Sequence, residues 1–297
     1  MLSVLIPIYN YNVVKLVETI HAQFEGLLVD FEVICICDAS NRYITENKFV
    51  NSFLNTNLIT LSTNIGRSKI RNLLVEKSNF NWLLFLDADV IPKEDLFISN
   101  YLNFIKKNNT KVCFGGIEYK EVDEIENKPL RLVYGKKREE ISAERRKKSP
   151  YQFATGTNVL IHKTIFNSIK FNENIVKYGF EDVLFVENLK LNRIKIDHIN
   201  NPVFHLGIEN NLTFLNKTKE GIENLLYLSN NAIIKGDNLK LLKSFRILSS
   251  VKLNWIIKGL FYIFKKPIER NLLSNFPSLF LFDLYKLGYL CSVPKAE

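Results

Sequence analysis

The first half of the chain alternates short apolar runs with amphipathic stretches, and this alternation restricts the fold more than any other feature. The runs Ser3–Ile8, Phe31–Cys37, Leu58–Ser62 and Trp82–Leu86 have the length and composition of buried strands. Between the first two runs, apolar residues recur at the spacing of one helix face. Because strands that alternate with helices form βαβ units, we expect an α/β fold with a mostly parallel central sheet flanked by helices.

A sheet of this kind also indicates where ligands bind, because the ligands of such folds lie beyond the carboxyl ends of the strands. Polar residues follow each predicted strand at that position: Tyr9 and Asn10, then Asp38, then Arg67 and Arg71, then Asp87 and Asp89. The sequence therefore predicts a polar site at one edge of the sheet.

Asp87 and Asp89 form an Asp-Ala-Asp motif at the exit of the fourth predicted strand. Two carboxylates at this spacing can converge on one hard divalent cation, which prefers oxygen ligands. The same motif also occurs in phosphatases of the haloacid dehalogenase type and in calcium loops. Alternatively, the two carboxylates cap a helix that begins near Lys93. Taken alone, the motif leaves these alternatives open.

Arg67 and Arg71 lie four residues apart just beyond the third predicted strand, so on a helix they share a face. Near the N-terminus of that helix, backbone N–H groups also favour anions. With the acidic residues, the two arginines would suit a metal-bound diphosphate. The alternative is a pair of surface arginines.

As a set, these motifs resemble the inverting glycosyltransferase family 2 in their order and approximate spacing, over roughly residues 1–210. The resemblance is carried by the opening Ser3–Asn10, the Asp38-Ala-Ser turn, the Asn-x-Gly-x-Ser-x-x-Arg-Asn segment of Asn64–Asn72, and the Asp-x-Asp motif. It implies the GT-A fold, a nucleotide-diphosphate sugar as donor, and Mn²⁺ or Mg²⁺. The family often has Asp-Asp-Gly-Ser where this chain has Cys37–Ser40.

The resemblance also implies a role for each matching residue. Pro7, Tyr9 and Asn10 would line the nucleotide base, which Asp38 would also face. Arg71 would lie near the base or the diphosphate, with Arg67 beside it. Asp87 would meet the ribose or a metal-bound water, and Asp89 would ligate the metal.

The segment Tyr178-Gly-Phe-Glu181-Asp182 resembles the Trp-Gly-x-Glu-Asp element of galactosyl-, N-acetylgalactosaminyl- and related hexosyltransferases. Inverting transfer needs a base that removes the proton of the attacking hydroxyl. The resemblance implies that Asp182 is this base and that Glu181 holds hydroxyls of the acceptor or donor sugar. Both acids could also cap a helix that runs from Glu181 to Leu191.

Two further elements match such enzymes. His205 follows an apolar run 23 residues after Asp182; a lone histidine there is usually a core residue, but the resemblance implies a metal ligand. Gly156, Thr157 and Asn158 match a small-residue loop that approaches the donor sugar and diphosphate, although these residue types also form ordinary turns.

The charge of +9 is concentrated near the C-terminus. Residues 239–297 hold ten Lys/Arg and three Asp/Glu, whereas the preceding 238 residues hold 30 and 28. The nearly neutral first part, which has no stacking-platform motif, argues against nucleic acid as a partner. The basic, aromatic stretch 239–290 predicts peripheral contact with an anionic membrane, on the inner face of the cytoplasmic membrane. The alternative is a helical subdomain that packs on the core or on a second subunit of a homo-oligomer.

The four cysteines show no disulfide or metal spacing, so we expect buried free thiols and a reducing compartment. The N-terminus lacks a basic segment before its short apolar run and is interpreted as a strand. We therefore expect a cytoplasmic chain.

Together these features predict a GT-A catalytic domain at 1–210 and a helical region at 211–297. Within the first, 1–117 would bind the nucleotide sugar and 151–210 the acceptor, while Lys136–Lys148 is predicted to be solvated and mobile. The expected activity is inverting transfer of a hexose or N-acetylhexosamine, with UDP favoured in the donor, to a glycan or lipid-linked glycan. The alternatives are a catalytically degenerate scaffold and a sugar nucleotidyltransferase.

Overall fold

The computed structural model describes residues 1–107, 109–120, 129–175, 177–236 and 239–294. The described residues form two compact units. Those of Met1–Lys120, Glu139–Val176 and Glu181–Gly207 make up the first, called the sheet unit; those of Glu121–Arg138, Lys177–Phe180 and Ile208–Glu297 make up the second, called the helical unit.

The strands all belong to the sheet unit: β1 (Leu2–Ile8), β2 (Phe31–Cys37), β3 (Thr56–Thr60), β4 (Trp82–Leu86), β5 (Val90–Pro92), β6 (Val112–Phe114), β7 (Ile117–Glu118), β8 (Asn158–His162), β9 (Asp197–His198) and β10 (Val203–His205). Seven form one sheet in the order β3-β2-β1-β4-β8-β6-β9, and three form a small sheet in the order β5-β10-β7. Strands β3, β2, β1 and β4 are parallel, whereas β8 is antiparallel to β4 and β6.

The sheet unit also contains the helices α1 (Val14–Phe24), α2 (Ile44–Asn47), α3 (Arg67–Lys77), α4 (Phe97–Lys107), α6 (Ala143–Lys148), α7 (Lys163–Ile169) and α8 (Glu181–Leu191). The helical unit contains α5 (Leu130–Arg138), α9 (Asn211–Asn230), α10 (Lys240–Ser250), α11 (Asn254–Leu272) and α12 (Leu279–Ser292). The predicted α/β fold, with a mostly parallel central sheet and a helical C-terminal region, is confirmed.

Helices cover both faces of the large sheet, and β2 shows how the sequence divides its side chains between them. Val33, Cys35 and Cys37 pack in the cluster that includes α1 and α4. Ile34 and Ile36 alternate with them and pack in the cluster that includes α3, α7 and α8. Because successive side chains of a strand point to opposite faces, a continuous apolar run indicates burial on both.

The prediction of buried free thiols is confirmed for three of the four cysteines. All four are free thiols, and three of them, Cys35, Cys37 and Cys113, are buried. Burial raises the pKa of Cys35 to about 12, so its thiol stays protonated at neutral pH and serves as a small apolar side chain.

The expectation of a solvated Lys136–Lys148 segment is wrong for Arg146 in α6. Its side chain is buried, and the guanidinium donates hydrogen bonds to the carbonyl oxygens of Phe114, Gly115 and Ile199. Because every one of these acceptors is a backbone carbonyl, no acidic partner in the sequence indicated the burial. These hydrogen bonds offset the cost of burying the Arg146 cation inside the sheet unit.

The five described helices of the helical unit surround a core to which α11 and α12 contribute Phe261, Leu272, Phe282 and Tyr285. Gly288 allows α12 to approach α11 closely, since a Cβ there would lie 2.8 Å from the Cγ of Phe261. Among the described residues, no single helix has the length and hydropathy of a membrane span. In the described ranges, α10 and α11 are the one pair that reaches that hydropathy together, and they meet at a bend of 119°.

Candidate active site

The loops that follow β1 and β2 are joined by hydrogen bonds beyond the ends of the strands. The backbone N–H of Asn10 donates to Oγ of Ser40 (2.9 Å), and the N–H of Asn41 donates to Oδ1 of Asn10 (2.9 Å). Asn10 has a φ of 53°, a conformation that asparagine tolerates better than most residues. Pro7 lies half-buried in β1, and Tyr9 at the loop tip is exposed, so a planar ligand could reach the Tyr9 ring.

Asp38 holds the turn that begins α3. Its buried carboxylate accepts the backbone N–H of Ile65 through Oδ1 (2.7 Å) and of Gly66 through Oδ2 (3.0 Å). Gly66 has a φ of 86°, which favours glycine at this position. The structure thus shows Asp38 organising the turn before Arg67, and its contact with a base stays a prediction.

A buried arginine links β4 to α8. Nη2 of Arg71 lies 2.8 Å from Oδ1 of Asp87, and its Nη1 lies 3.9 Å from Oε1 of Glu181. Arg67 reaches the same Oε1 of Glu181 at 3.2 Å. The two arginines differ in exposure, since the side chain of Arg71 is 3% exposed and that of Arg67 is 53% exposed. Only Arg67 therefore presents its charge to solvent.

The pKa values follow from this packing. Burial acts to lower the pKa of Arg71, but the carboxylates of Asp182, Asp87 and Glu181 outweigh it and the pKa is raised overall. Burial acts to raise the pKa of Asp87, whereas Arg71 and Arg67 bring it below its ordinary value. The guanidinium of Arg71 and the carboxylate of Asp87 therefore stabilise each other in their charged forms.

The pairing of β5 with β10 brings Asp89 to His205. Val90 and His205 are partners in the register, and Oδ2 of Asp89 lies 3.6 Å from Nε2 of His205. The backbone N–H of Leu206 donates to the carbonyl oxygen of Asp89 (2.8 Å). Burial raises the pKa of Asp89, although His205 opposes the shift. A Cβ on Gly207 would lie 2.9 Å from the Cγ of Asp89, so only glycine leaves this carboxylate undisturbed.

Asp89 and His205 suit a partial metal site. The described part of the chain contains no group of three or more His, Cys, Asp or Glu side chains that could hold an ion. A carboxylate and an imidazole nevertheless fit Mn²⁺ or Mg²⁺, which keep several positions for waters and substrate phosphates. Asp87 engages Arg71, and its predicted part in metal binding stays a prediction.

Asp182 stands in the first turn of α8, against the backbone of Gly156. A Cβ on Gly156 would lie 2.8 Å from the Cγ of Asp182. The Oδ1 atom of Asp182 is shielded from solvent and has no hydrogen-bond partner in the described ranges. Burial raises the pKa of Asp182 to about 6, helped by Glu181 and Asp87 and opposed by Arg71. An unpartnered carboxylate oxygen with this pKa is poised to take up a proton near neutral pH.

The other two residues of the predicted Gly156–Asn158 loop, Thr157 and Asn158, contact different parts of the protein. The side chain of Thr157 hydrogen-bonds Asp87 and helps to lower its pKa, and the N–H of Asp87 donates to the carbonyl of Thr157 (3.2 Å). Asn158 is turned to the interior: its Oδ1 accepts from Tyr101 (2.6 Å), and its Nδ2 donates to the carbonyls of Gly116 (2.9 Å) and Asn201 (3.0 Å). The Asn158 carboxamide is therefore engaged away from the carboxylates.

The structure brings three residues to this site that the sequence did not single out. The pKa of the Tyr11 phenol is raised, first by burial and then by the nearby carboxylate of Asp89. Tyr119 stacks its ring on His205, with 5.6 Å between the ring centroids. Gly207 is the third. Tyr11 lies two residues after the predicted Tyr9, and Gly207 lies two residues after the predicted His205. This proximity in sequence was the one indication that they belong to the site.

Comparison with known proteins agrees with this architecture. A family model described as Glycosyl transferase family 2 matches residues 3–170. A stretch of 127 residues is 32% identical to an "Uncharacterized glycosyltransferase" of Rickettsia bellii (strain RML369-C) and covers 41% of this chain. That stretch is only 17% of the Rickettsia protein, so the chain spans a minor part of that relative.

Solved structures share the fold at low identity. S. aureus TarS 1-349 matches with a TM-score of 0.52 and 16% identity, over 96% of this chain and 89% of that one. TarS 1-349 in complex with UDP-GlcNAc matches with a TM-score of 0.51 and 18% identity, over 98% and 90%. The mannosyltransferase PcManGT from Pyrobaculum calidifontis, in complex with GDP-Man and Mn²⁺, matches with a TM-score of 0.55 and 10% identity, over 77% and 64%. With more than half of its length matched by the family model, the chain belongs to glycosyl transferase family 2.

Proposed function

We propose that this protein transfers a hexose or N-acetylhexosamine, with inversion, from a nucleotide-diphosphate sugar to a hydroxyl of a glycan or lipid-linked glycan. Family membership supports glycosyl transfer. Structural neighbours in complex with UDP, UDP-GlcNAc and GDP-Man support a nucleotide-sugar donor, with UDP favoured. The observation that carries the proposal is the unpartnered, shielded Oδ1 of Asp182 beside the ion-paired cluster.

Asp182 is the base of the proposed reaction. The acceptor oxygen forms a bond to the anomeric carbon while the bond from that carbon to the diphosphate breaks on the opposite face. The hydroxyl proton passes to the carboxylate of Asp182, and the nucleoside diphosphate leaves with the bonding electrons. With a pKa of about 6, most Asp182 carboxylates are ionised at neutral pH and still basic enough to accept a proton.

Arg71 and Glu181 position this base. The guanidinium of Arg71 lies between Asp87 and Glu181, so the end of β4 and the first turn of α8 are held by one buried cation. Arg67 contacts the same Glu181 oxygen from the exposed side. Its accessible charge is suited to the leaving diphosphate.

Asp89 and His205 would hold Mn²⁺ or Mg²⁺, and a cation held there would offset the negative charge that develops on the leaving diphosphate. The exposed ring of Tyr9 offers a stacking surface for the nucleotide base, with Pro7 and Asn10 beside it.

A donor panel tests the proposal. The protein is titrated by calorimetry with UDP, GDP and dTDP, with and without Mn²⁺, and release of nucleoside diphosphate is measured from the corresponding sugars. We expect one nucleotide to bind at least about tenfold more tightly with Mn²⁺. Asp89→Ala should abolish that gain, whereas the exposed Glu76→Gln should keep it. Absence of metal-dependent binding by all three nucleotides would contradict the proposal.

A further inference from the structure

The solvent-facing side of α11 is apolar over its first turns. Phe261 and Leu272 are the buried residues of this helix. Trp255 is 72% exposed, Ile263 is 69% exposed and Phe264 is 52% exposed. We call the exposed set on this helix the α11 face: Trp255, Ile256, Leu260, Tyr262, Ile263 and Phe264.

This arrangement is the reverse of an ordinary surface helix, which turns polar residues to water and apolar residues to the core. The core of the helical unit takes Phe261 and Leu272 from α11, and the α11 face lies outside it. Phe276 and Phe280, which follow α11 in the chain, are also largely exposed. Apolar side chains concentrated in this way on one helix mark an interaction surface.

Cations accompany the apolar residues. Lys258, Lys266 and Arg270 are exposed on α11, and none has an ion pair among the described residues. The two acids of α11 and α12, in contrast, are compensated: Glu269 lies 3.7 Å from Lys219, and Asp283 lies 2.7 Å from Arg138. The α11 face therefore combines apolar and aromatic side chains with uncompensated positive charge.

We propose that the α11 face docks on an anionic membrane surface, with α11 lying in the headgroup region. Trp and Tyr favour the boundary between hydrocarbon and water, and Lys and Arg favour anionic headgroups. Neither α10 nor α11 alone has the length and hydropathy of a membrane span, so an orientation in the plane of the surface suits them. A second copy is a poorer occupant, because two copies of the same face would bring like charges together. The proposal concerns the helical unit alone and does not depend on the transfer reaction.

Vesicle flotation of the full chain tests the proposal, using phosphatidylcholine vesicles with and without phosphatidylglycerol. The wild-type protein is expected to float with the anionic vesicles and much less with the neutral ones. Replacing Trp255, Ile263 and Phe264 together with Ser should lower the bound fraction at least about tenfold. A matched control replaces three exposed leucines of the sheet unit with Ser (Leu28, Leu54 and Leu96) and should bind as the wild type does.

A second pair of variants tests the charge. Replacing Lys258, Lys266 and Arg270 with Gln should weaken binding to anionic vesicles only, whereas the same change at Lys106, Lys107 and Lys111, which are also exposed, should have no effect. Circular dichroism and nucleotide binding check that each variant is folded. Wild-type protein that fails to float with either vesicle, or that instead forms a dimer lost in the Ser variant of α11, overturns the proposal.

Discussion

Arg71 in α3 and Asp87 at the end of β4 form an ion pair, with 2.8 Å between Nη2 and Oδ1, although the Arg71 side chain is almost fully buried. The same guanidinium lies 3.9 Å from Glu181, next to the proposed base. The centre of this site is therefore a buried cation surrounded by carboxylates that are distant in sequence.

Replacing Arg71 with Met should lower the free energy of unfolding by about 3–5 kcal/mol, because the carboxylates of Asp87 and Glu181 lose their buried partner. Replacing the exposed Arg67 with Met should cost less than about 1 kcal/mol, as expected of an exposed ion pair. Urea denaturation measures both. Equal and small effects would contradict the view that Arg71 holds the site together.

The activity should depend on pH through Asp182. Because the base must be ionised and its pKa is about 6, kcat/KM should rise with pH through a midpoint near 6 and then level off. A pH profile measured with the preferred donor checks this. A profile that is flat between pH 5 and pH 7, where about a tenth and nine tenths of the carboxylate are ionised, would rule out Asp182 as the base.

The free energy of unfolding should also depend on the ionisation of Asp182. In contrast to kcat/KM, this contribution should decrease as the pH rises. The folded pKa of about 6 lies above the ordinary aspartate value, so the folded state binds this proton more tightly than the unfolded chain does. The contribution of Asp182 to stability is present at low pH and is lost as the pH rises through 6. Asp182→Asn should therefore be at least as stable as the wild type at pH 7 in urea denaturation; a clear loss of stability there would contradict the pKa assignment.

Two glycines should be intolerant of alanine for different reasons. Gly156→Ala would press on the carboxyl group of Asp182 and should lower kcat while nucleotide binding is kept. Gly207→Ala would press on Asp89 and should weaken Mn²⁺-dependent nucleotide binding by about 10- to 100-fold. Gly259→Ala is the control, since a Cβ there meets nothing within 4 Å. Calorimetry and steady-state kinetics separate the two outcomes, and identical phenotypes would refute the distinction.

Asn158 should behave as a structural residue. Asn158→Ala removes three interior hydrogen bonds and should lower the free energy of unfolding by about 1–3 kcal/mol. Nucleotide affinity of the folded protein should not change, and the exposed Asn103→Ala in α4 should affect neither quantity. A selective loss of donor binding in Asn158→Ala would support the donor contact inferred from resemblance.

The sequence predicted best the elements buried on both faces of the sheet. The bounds of β2 and β4 agree with the predicted runs, because continuous apolar stretches flanked by polar residues leave little choice of register. Helix α8 also has the expected bounds, Glu181–Leu191. The third strand is Thr56–Thr60 and begins before the predicted Leu58, since an edge strand that is only part-buried has a weak apolar signal.

For the site, the residue types and their positions at the strand ends could be predicted from the sequence. The different role of each residue could not. Arg67 and Arg71 are the same residue type on one helix face, yet only packing against Asp87 and Glu181 makes Arg71 buried and leaves Arg67 exposed. The hydrogen bonds of Asp38 to Ile65 and Gly66 likewise depend on how the loop closes. No local sequence pattern records such contacts.

The most direct test of the proposed mechanism compares wild-type protein with Asp182→Asn, using the donor identified by the panel. The asparagine keeps the shape of the side chain and removes its ability to accept the proton. Turnover should fall by about 10²- to 10⁴-fold while Mn²⁺-dependent nucleotide affinity stays within about threefold. Wild-type turnover in Asp182→Asn, or a loss of affinity that accounts for the whole loss of turnover, would contradict the assignment of Asp182 as the base.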